Sequence, residues 1–445
     1  MPIDHHLLAL FELLRIPTIS GQSEHAEDMM KACKWLKHAF EKIGFMSEIL
    51  PTGGHPLVYA EHLHAGPDKP TVLIYGHYDV QSPDPLREWT TKPFDPEIRG
   101  SNIYARGVAD DKGQLYTWIA AVGDWLEEHK RLPANIKFLI EGEEEVATHN
   151  LVEFIGENQS LLQADICFIS DSHCLSEDQP LIDYGLRGIV YAEISVHTFP
   201  RDVHSGIYGG NVYNPLEVLA KILSQLKDER HLVTIPGFYD RVRELSREEA
   251  LELAESPFNE EQIMRETGAK AVVGEVVYSP AARAGARPTL DVHGVWGGYS
   301  GEGAKTIIPA EAHAKVSMRL VPYQSADHIF QRFERYVLSL APDGVDVDVH
   351  HLSSGEPILM DRDNKFFKKA ELAYKKVFGK KPLYQLSGGS IPITATLKTL
   401  LNMDSVLMGY GLPDDGLHSP NEKMSVSMFK KGIETNKELL SLLAE

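Results

Sequence analysis

The chain has 445 residues, 43% of them apolar and 24% charged, which allows two or three domains with real cores and excludes a largely disordered protein. Its 44 Lys and Arg against 64 Asp and Glu leave a formal charge of −20, excluding a surface built to neutralise nucleic-acid phosphates or anionic lipid. The three cysteines, Cys33, Cys167 and Cys174, are too few and too scattered for a disulfide framework or a four-thiolate zinc site, and fit a reducing compartment. The opening Met-Pro-Ile-Asp-His-His lacks the basic and apolar segments of a secretory signal. No run of about 18 apolar residues follows, so a cytoplasmic protein with no membrane partner is expected.

In chain order, Leu7, Leu8, Phe11 and Leu14, then Met29, Met30, Cys33, Leu36, Phe40 and Ile43, recur at helical steps and predict two amphipathic helices. Thr71–Gly76 is a short apolar run that reads as a buried strand, favoured over a helical turn by the Gly and the polar residues after it. Asn135–Ile140 and Ala164–Ile169 are similar runs. A helix is expected between the first two, from Gly113 to His129, with Leu115, Trp118, Ile119, Val122 and Leu126 on one face. Strands alternating with helices predict an α/β layer architecture with a mainly parallel sheet.

After Arg187 the texture changes. Ile189–His197, Ala314–Val321 and Val345–His350 alternate in the manner of half-exposed strands, and Asn214–Lys227 and Ala326–Ala341 read as helices. This predicts a smaller α+β domain inserted into the first. Residues 1–187 and 371–445 would form the catalytic domain, and 188–370 the insertion. Helices and a strand around Ser405–Met408 complete the chain.

The chemistry-bearing residues cluster at strand ends. The first strand stops at Gly76-His77, delivering the imidazole to the carboxyl edge of the sheet, where open α/β sheets keep their ligand sites. Asp79 can accept from the other ring nitrogen of His77 and fix its tautomer. Asp110-Asp111 precede the next helix, Glu143-Glu144-Glu145 follow the second strand, Ser170-Asp171 close the third, and His418 stands among Asp414, Asp415 and Glu422. Taken singly, these are a surface pair, a helix cap and a solvated acidic loop. Together they place imidazole and carboxylate at one edge, with no nucleophile elbow, phosphate loop or CxxC competing, and read as a dinuclear divalent-metal centre with one carboxylate left to act as base.

These residues resemble the co-catalytic di-zinc metallopeptidase superfamily of aminoacylases, glutamate carboxypeptidases and cytosolic dipeptidases of the carnosine-cleaving type. The resemblance runs through His77–Pro83, Trp89–Pro96, Arg106–Gly113, Glu141–Glu145, Ser170-Asp171, Val203–Gly206, Gly301–Pro309, Arg319–Pro322, Gly388–Pro392 and Asp415–Lys423. The strings at Ser300–Thr306 and Gly388–Pro392 look most like the dipeptidase branch.

The resemblance implies that Asp110 bridges two metal ions, that His77 and Asp171 complete one site and Glu145 and His418 the other, and that Glu144 is the general base. It implies Asp79 as the orienter of His77, a cis Asp110–Asp111 peptide, and two divalent ions per subunit, zinc or alternatively manganese. The insertion matches the family's lid and dimerisation domain. There His204 would reach a partner subunit's site to stabilise the oxyanion, and Arg319, Thr306, Gly389 and Ser390 would hold the substrate's terminal carboxylate.

The expected activity is metal-dependent exopeptidase cleavage of dipeptides or short peptides beside a free carboxylate, in a homodimer. The alternative is N-acyl-amino-acid hydrolysis at the same centre. The chain departs from the family pattern at Val146-Ala147-Thr148, a change that bears on the turn below the metal site without touching a ligand, and at Ser353-Ser354 and Ser387, changes that leave the metal chemistry intact and bear on substrate identity.

Overall fold

The computed structural model describes residues 4–146, 149–388 and 391–444. The chain forms two compact units, one of Met1–Tyr184, Met360–Tyr384 and Thr396–Glu445, the other of Gly185–Leu359 and Gln385–Ala395.

In the first unit the sheet reads across as Met46–Leu50, Leu57–His62, Asn135–Glu141, Thr71–His77, Ile166–Ile169, Ser405–Leu407 and Leu181–Leu186. The inner four strands, from Asn135–Glu141 to Ser405–Leu407, run parallel, and antiparallel neighbours flank them. All seven residues of Asn135–Glu141 are buried, as expected of a strand covered on both faces. Parallel register aligns the strand ends: His77 lies opposite Glu141, and Tyr75 opposite Ile169, so three carboxyl termini open at one edge. That edge is where the polar residues of the motifs emerge.

Helices His5–Leu14 and Ala26–Lys42 open this unit. Asp4 caps the first, its carboxylate accepting from the Leu7 N–H at 3.0 Å. Helix Lys112–His129 is buried along its first three turns and packs on the C-terminal helix Val426–Ala444, which also holds Lys365–Phe378. Gly113 is required at this helix start, because a Cβ there would stand 1.9 Å from the Val108 carbonyl oxygen.

The second unit is an antiparallel sheet in the order Thr289–Gly297, Glu311–Leu320, Gly188–His197, Asp346–Gly355. The alternation read in the sequence has its physical reason here. Val190, Ala192, Ile194 and Val196, with Ala312, Ala314, Val316 and Met318, point to one face, which the helices Pro215–Ser224 and Ala326–Ser339 cover. Burying each Val, Ile or Met side chain among them contributes roughly 1.5–3 kcal/mol. In the chain between helix Pro215–Ser224 and strand Thr289–Gly297, the charged stretch after Arg241 forms three short helices, Arg247–Ala254, Glu260–Thr267 and Pro280–Ala286. Ser246 and Glu249 form a capping box at the first of these.

Candidate metal centre

Five side chains from five chain segments meet at the sheet edge of the first unit. His77 ends its strand, Asp110 sits in the loop before helix Lys112–His129, Glu145 follows Asn135–Glu141, Asp171 follows Ile166–Ile169, and His418 lies in the loop before the strand Lys423–Ser425. His77 Nε2 is 3.1 Å from Asp110 Oδ1 and 3.7 Å from Asp171 Oδ2. His418 Nε2 is 2.9 Å from Asp110 Oδ2 and 3.2 Å from Glu145 Oε2. The donor atoms form two triads sharing Asp110, each with its atoms within 4.8 Å of one another. Each oxygen of Asp110 thus faces a different imidazole.

The donor chemistry fits divalent cations. His77 Nδ1–H donates to the Asp79 carbonyl at 3.1 Å, which leaves the Nε2 lone pair aimed at the carboxylates. A lone pair facing carboxylate oxygens is favourable only with a proton or a metal between them. Zinc–ligand bonds of about 2.0–2.2 Å produce ligand separations near 3.3 Å, the range seen here.

The electrostatics agree. Burial pushes the Asp171 carboxyl well above its ordinary range, and the neighbouring Asp110 charge adds to this. Burial, with the Asp171 charge, likewise raises Asp111. Asp110 is driven the other way: burial opposes its ionisation, but hydrogen bonds from His418 and His77 outweigh it and hold the carboxyl below the usual range. Glu144 is raised to about 7, first by burial; His77 opposes the rise while the charges of Glu145 and Asp110 add to it. Such a crowd of carboxylates is stable when cations share it.

The tautomer partner differs in detail from expectation. It is the backbone carbonyl of Asp79 that accepts the His77 hydrogen bond, and Asp79 Oδ1 lies farther off, at 3.4 Å. The other oxygen, Oδ2, accepts the Glu145 backbone N–H at 3.1 Å, so Asp79 braces both metal-facing segments. The Asp110–Asp111 peptide is cis. Asp111 turns its Oδ2 to the His77 backbone N–H at 3.3 Å.

Three supporting residues carry no role in the sequence reading. Glu422, fully buried, accepts from Arg106 Nη1 at 2.7 Å and from the backbone N–H groups of Gly107, Ala109 and Asp110 at 2.9, 2.9 and 3.2 Å. It therefore sets the loop that presents Asp110. Gln81 donates from Nε2 to the Glu145 carbonyl and to its Oε2, both at 3.1 Å. Gln114 donates to the Ala109 carbonyl at 2.8 Å. Glu422 and Gln81 stand inside matching strings, but no local pattern distinguishes them from capping or surface residues.

In the second unit, His204 and Thr306 adjoin one short ribbon: His204 pairs with Ile307, and the Ser205 N–H bonds the Thr306 carbonyl at 3.1 Å. His204 is exposed, and its Nδ1 accepts from the Gly206 N–H at 3.0 Å. Arg319 lies on Glu311–Leu320, half-buried, between Thr289 and Ile189 on the neighbouring strands. Burial lowers its pKa. Gly389, Ser390 and the Ala147-Thr148 departure fall outside the described residues.

Comparison with known proteins agrees with this geometry. The chain is 31% identical to the Cys-Gly metallodipeptidase dug1 of Schizosaccharomyces pombe over 451 residues, covering 97% of this chain and 94% of that protein. It is 31% identical to human Beta-Ala-His dipeptidase over 375 residues, covering 83% and 74% respectively. The crystal structure of an M20 family metallo-carboxypeptidase, Sso-CP2 from Sulfolobus solfataricus, superposes with a TM-score of 0.87 at 33% identity, covering 99% of both chains. With residues 73–442 matching the family as a whole, the chain belongs to peptidase family M20/M25/M40, on its dipeptidase branch.

Proposed function

We propose that this metallopeptidase hydrolyses dipeptides and short peptides at the bond beside a free terminal carboxylate, at a centre of two divalent ions, zinc or alternatively manganese. The carrying observation is Asp110, whose two oxygens face two separate imidazoles, each with a further carboxylate of its own. His77 and Asp171 would hold one ion, Glu145 and His418 the other, and Asp110 both. When bound, the ions supply Lewis acidity that lowers the pKa of water and polarises the scissile carbonyl.

Glu144 is the base in this reading. A carboxylate next in the chain to the ligand Glu145, it would take a proton from the attacking water and return it to the leaving amine. Asp79 holds His77 by its carbonyl and the Glu145 backbone by its carboxylate, keeping both ligand-bearing segments in place. His204 supplies an oxyanion donor: with Nδ1 accepting from Gly206, the proton resides on Nε2, leaving that N–H free to donate. We assign the substrate carboxylate to Arg319 and Thr306, with Gly389 and Ser390. The Arg fork suits a carboxylate bidentately.

The protein works as a cytoplasmic homodimer in this account, His204 serving the partner's site. Exposed Ile207 and Tyr208 in the short helix that follows His204, with exposed Tyr213, and Val295 and Trp296 on the edge strand Thr289–Gly297, supply apolar surface for such an interface. No helix of the described residues is long and apolar enough to cross a membrane. The Schizosaccharomyces pombe and human relatives are dipeptidases, which does not favour N-acyl-amino-acid hydrolysis. A panel of free dipeptides, their C-terminal amides and N-acetyl amino acids, assayed on metal-loaded enzyme, tests the substrate class. Turnover of free dipeptides with poor turnover of the other two is expected. Equal rates on amides, or preference for N-acetyl amino acids, would overturn it.

A further inference from the structure

A third group of metal-capable side chains lies apart from the centre. His5 and His6 stand in the first turn of helix His5–Leu14, and Asp124 lies about 18 Å along helix Lys112–His129 from its first residue, at 1.5 Å per residue. We propose that His5, His6 and Asp124 form a separate binding site for one divalent ion of the zinc class, pinning the first helix to the helix that starts beside Asp110.

Three observations carry this. One donor atom from each residue lies within 4.8 Å of the other two. His6 Nε2 is 3.1 Å from Asp124 Oδ1, a separation that suits two ligands of one zinc ion as well as a hydrogen bond. The other His6 ring nitrogen, Nδ1, is buried and makes no hydrogen bond among the described residues. No partner there selects a tautomer, so the proton can sit on Nδ1 and leave Nε2 as a ligand.

The surroundings allow access and a fourth ligand. The cluster lines a cavity of about 780 Å³ together with Glu12, Trp35 and His38. His5 is exposed, and its ring centroid lies 3.9 Å from that of His6. Lys437 is the nearest competing cation. It stands 4.0 Å from Asp124 Oδ2 and is engaged by Glu128 at 2.6 Å, leaving Oδ1 directed at His6. Two imidazoles with a single carboxylate select zinc, nickel or copper over magnesium or calcium, which require more oxygen ligands.

The test compares full-length wild type with His5→Ala and Asp124→Asn, each equilibrated with micromolar buffered free zinc and freed of unbound metal. Zinc per chain is measured by elemental analysis and turnover of a dipeptide is followed in parallel. Wild type should carry one more zinc per chain than either variant, and all three should turn over at the same rate. Zinc should also raise the thermal unfolding midpoint of wild type more than that of His5→Ala, a readout independent of activity. Equal zinc content in wild type and His5→Ala overturns the site. A loss in His5→Ala that Asp124→Asn does not share overturns the three-ligand arrangement. Because the comparison is a difference between folded proteins, it stands whether or not the dipeptidase reading does.

Discussion

Glu422→Gln removes one oxygen from the carboxylate that organises the Asp110 loop. Oε2 accepts from Arg106 Nη1 and the Gly107 N–H, and Oε1 from the N–H groups of Ala109 and Asp110. Whichever position the amide nitrogen takes, it meets two donors with a donor of its own. Hydrogen bonds to charged groups contribute about 1.5–3 kcal/mol each, so losing two costs about 3–6 kcal/mol before the loop relaxes. Relaxation moves the backbone that presents Asp110, and disturbing such supporting partners typically weakens metal binding about 10–100-fold. Denaturant unfolding of metal-free protein and chelator competition for the metal measure the two effects separately. A variant within about 0.5 kcal/mol of wild type, with unchanged metal affinity, would refute the role given to Glu422.

Arg319→Ala should raise KM and lower kcat for free dipeptides, because a contact that also aligns the scissile bond acts on both, while the variant's low rate on amidated dipeptides stays where it was; an equal loss on both substrates contradicts the carboxylate role. Mixing Glu144→Gln with His204→Ala under conditions that exchange subunits should restore activity, since half the heterodimer's sites then hold both intact residues; demonstrated exchange without recovery ends the shared-site proposal. Gly113→Ala should destabilise the protein by about 1–3 kcal/mol in denaturant unfolding, despite the better helix propensity of Ala, because its Cβ would meet the Val108 carbonyl; an equally stable variant contradicts this packing.

The parallel sheet was legible because buried strands leave continuous apolar runs, as in Asn135–Ile140, and because His77 and Asp171 follow such runs directly. Thr71–Gly76 was ambiguous on periodicity, and its pairing on both sides makes it a strand. The insertion's alternating strands were legible for the complementary reason, one face buried and one wet. Glu422 was not, since its partners at 106–110 lie more than 300 residues away and an acid in a loop carries no periodic signal. The His77 partner was missed in a smaller way: a side chain was expected, and a backbone carbonyl, which every residue possesses, accepts the bond. His5, His6 and Asp124 illustrate the same limit, a grouping created by packing two helices together.

The central claim is that Glu144 moves the proton at a centre held by His77, Asp110, Glu145, Asp171 and His418. The most direct measurement is kcat of Glu144→Gln on a free dipeptide, with metal content determined on the same preparation. A loss on the order of 1,000-fold or more with unchanged metal content is expected, since the amide cannot accept the proton. Near-normal kcat in a fully metal-loaded variant would contradict it.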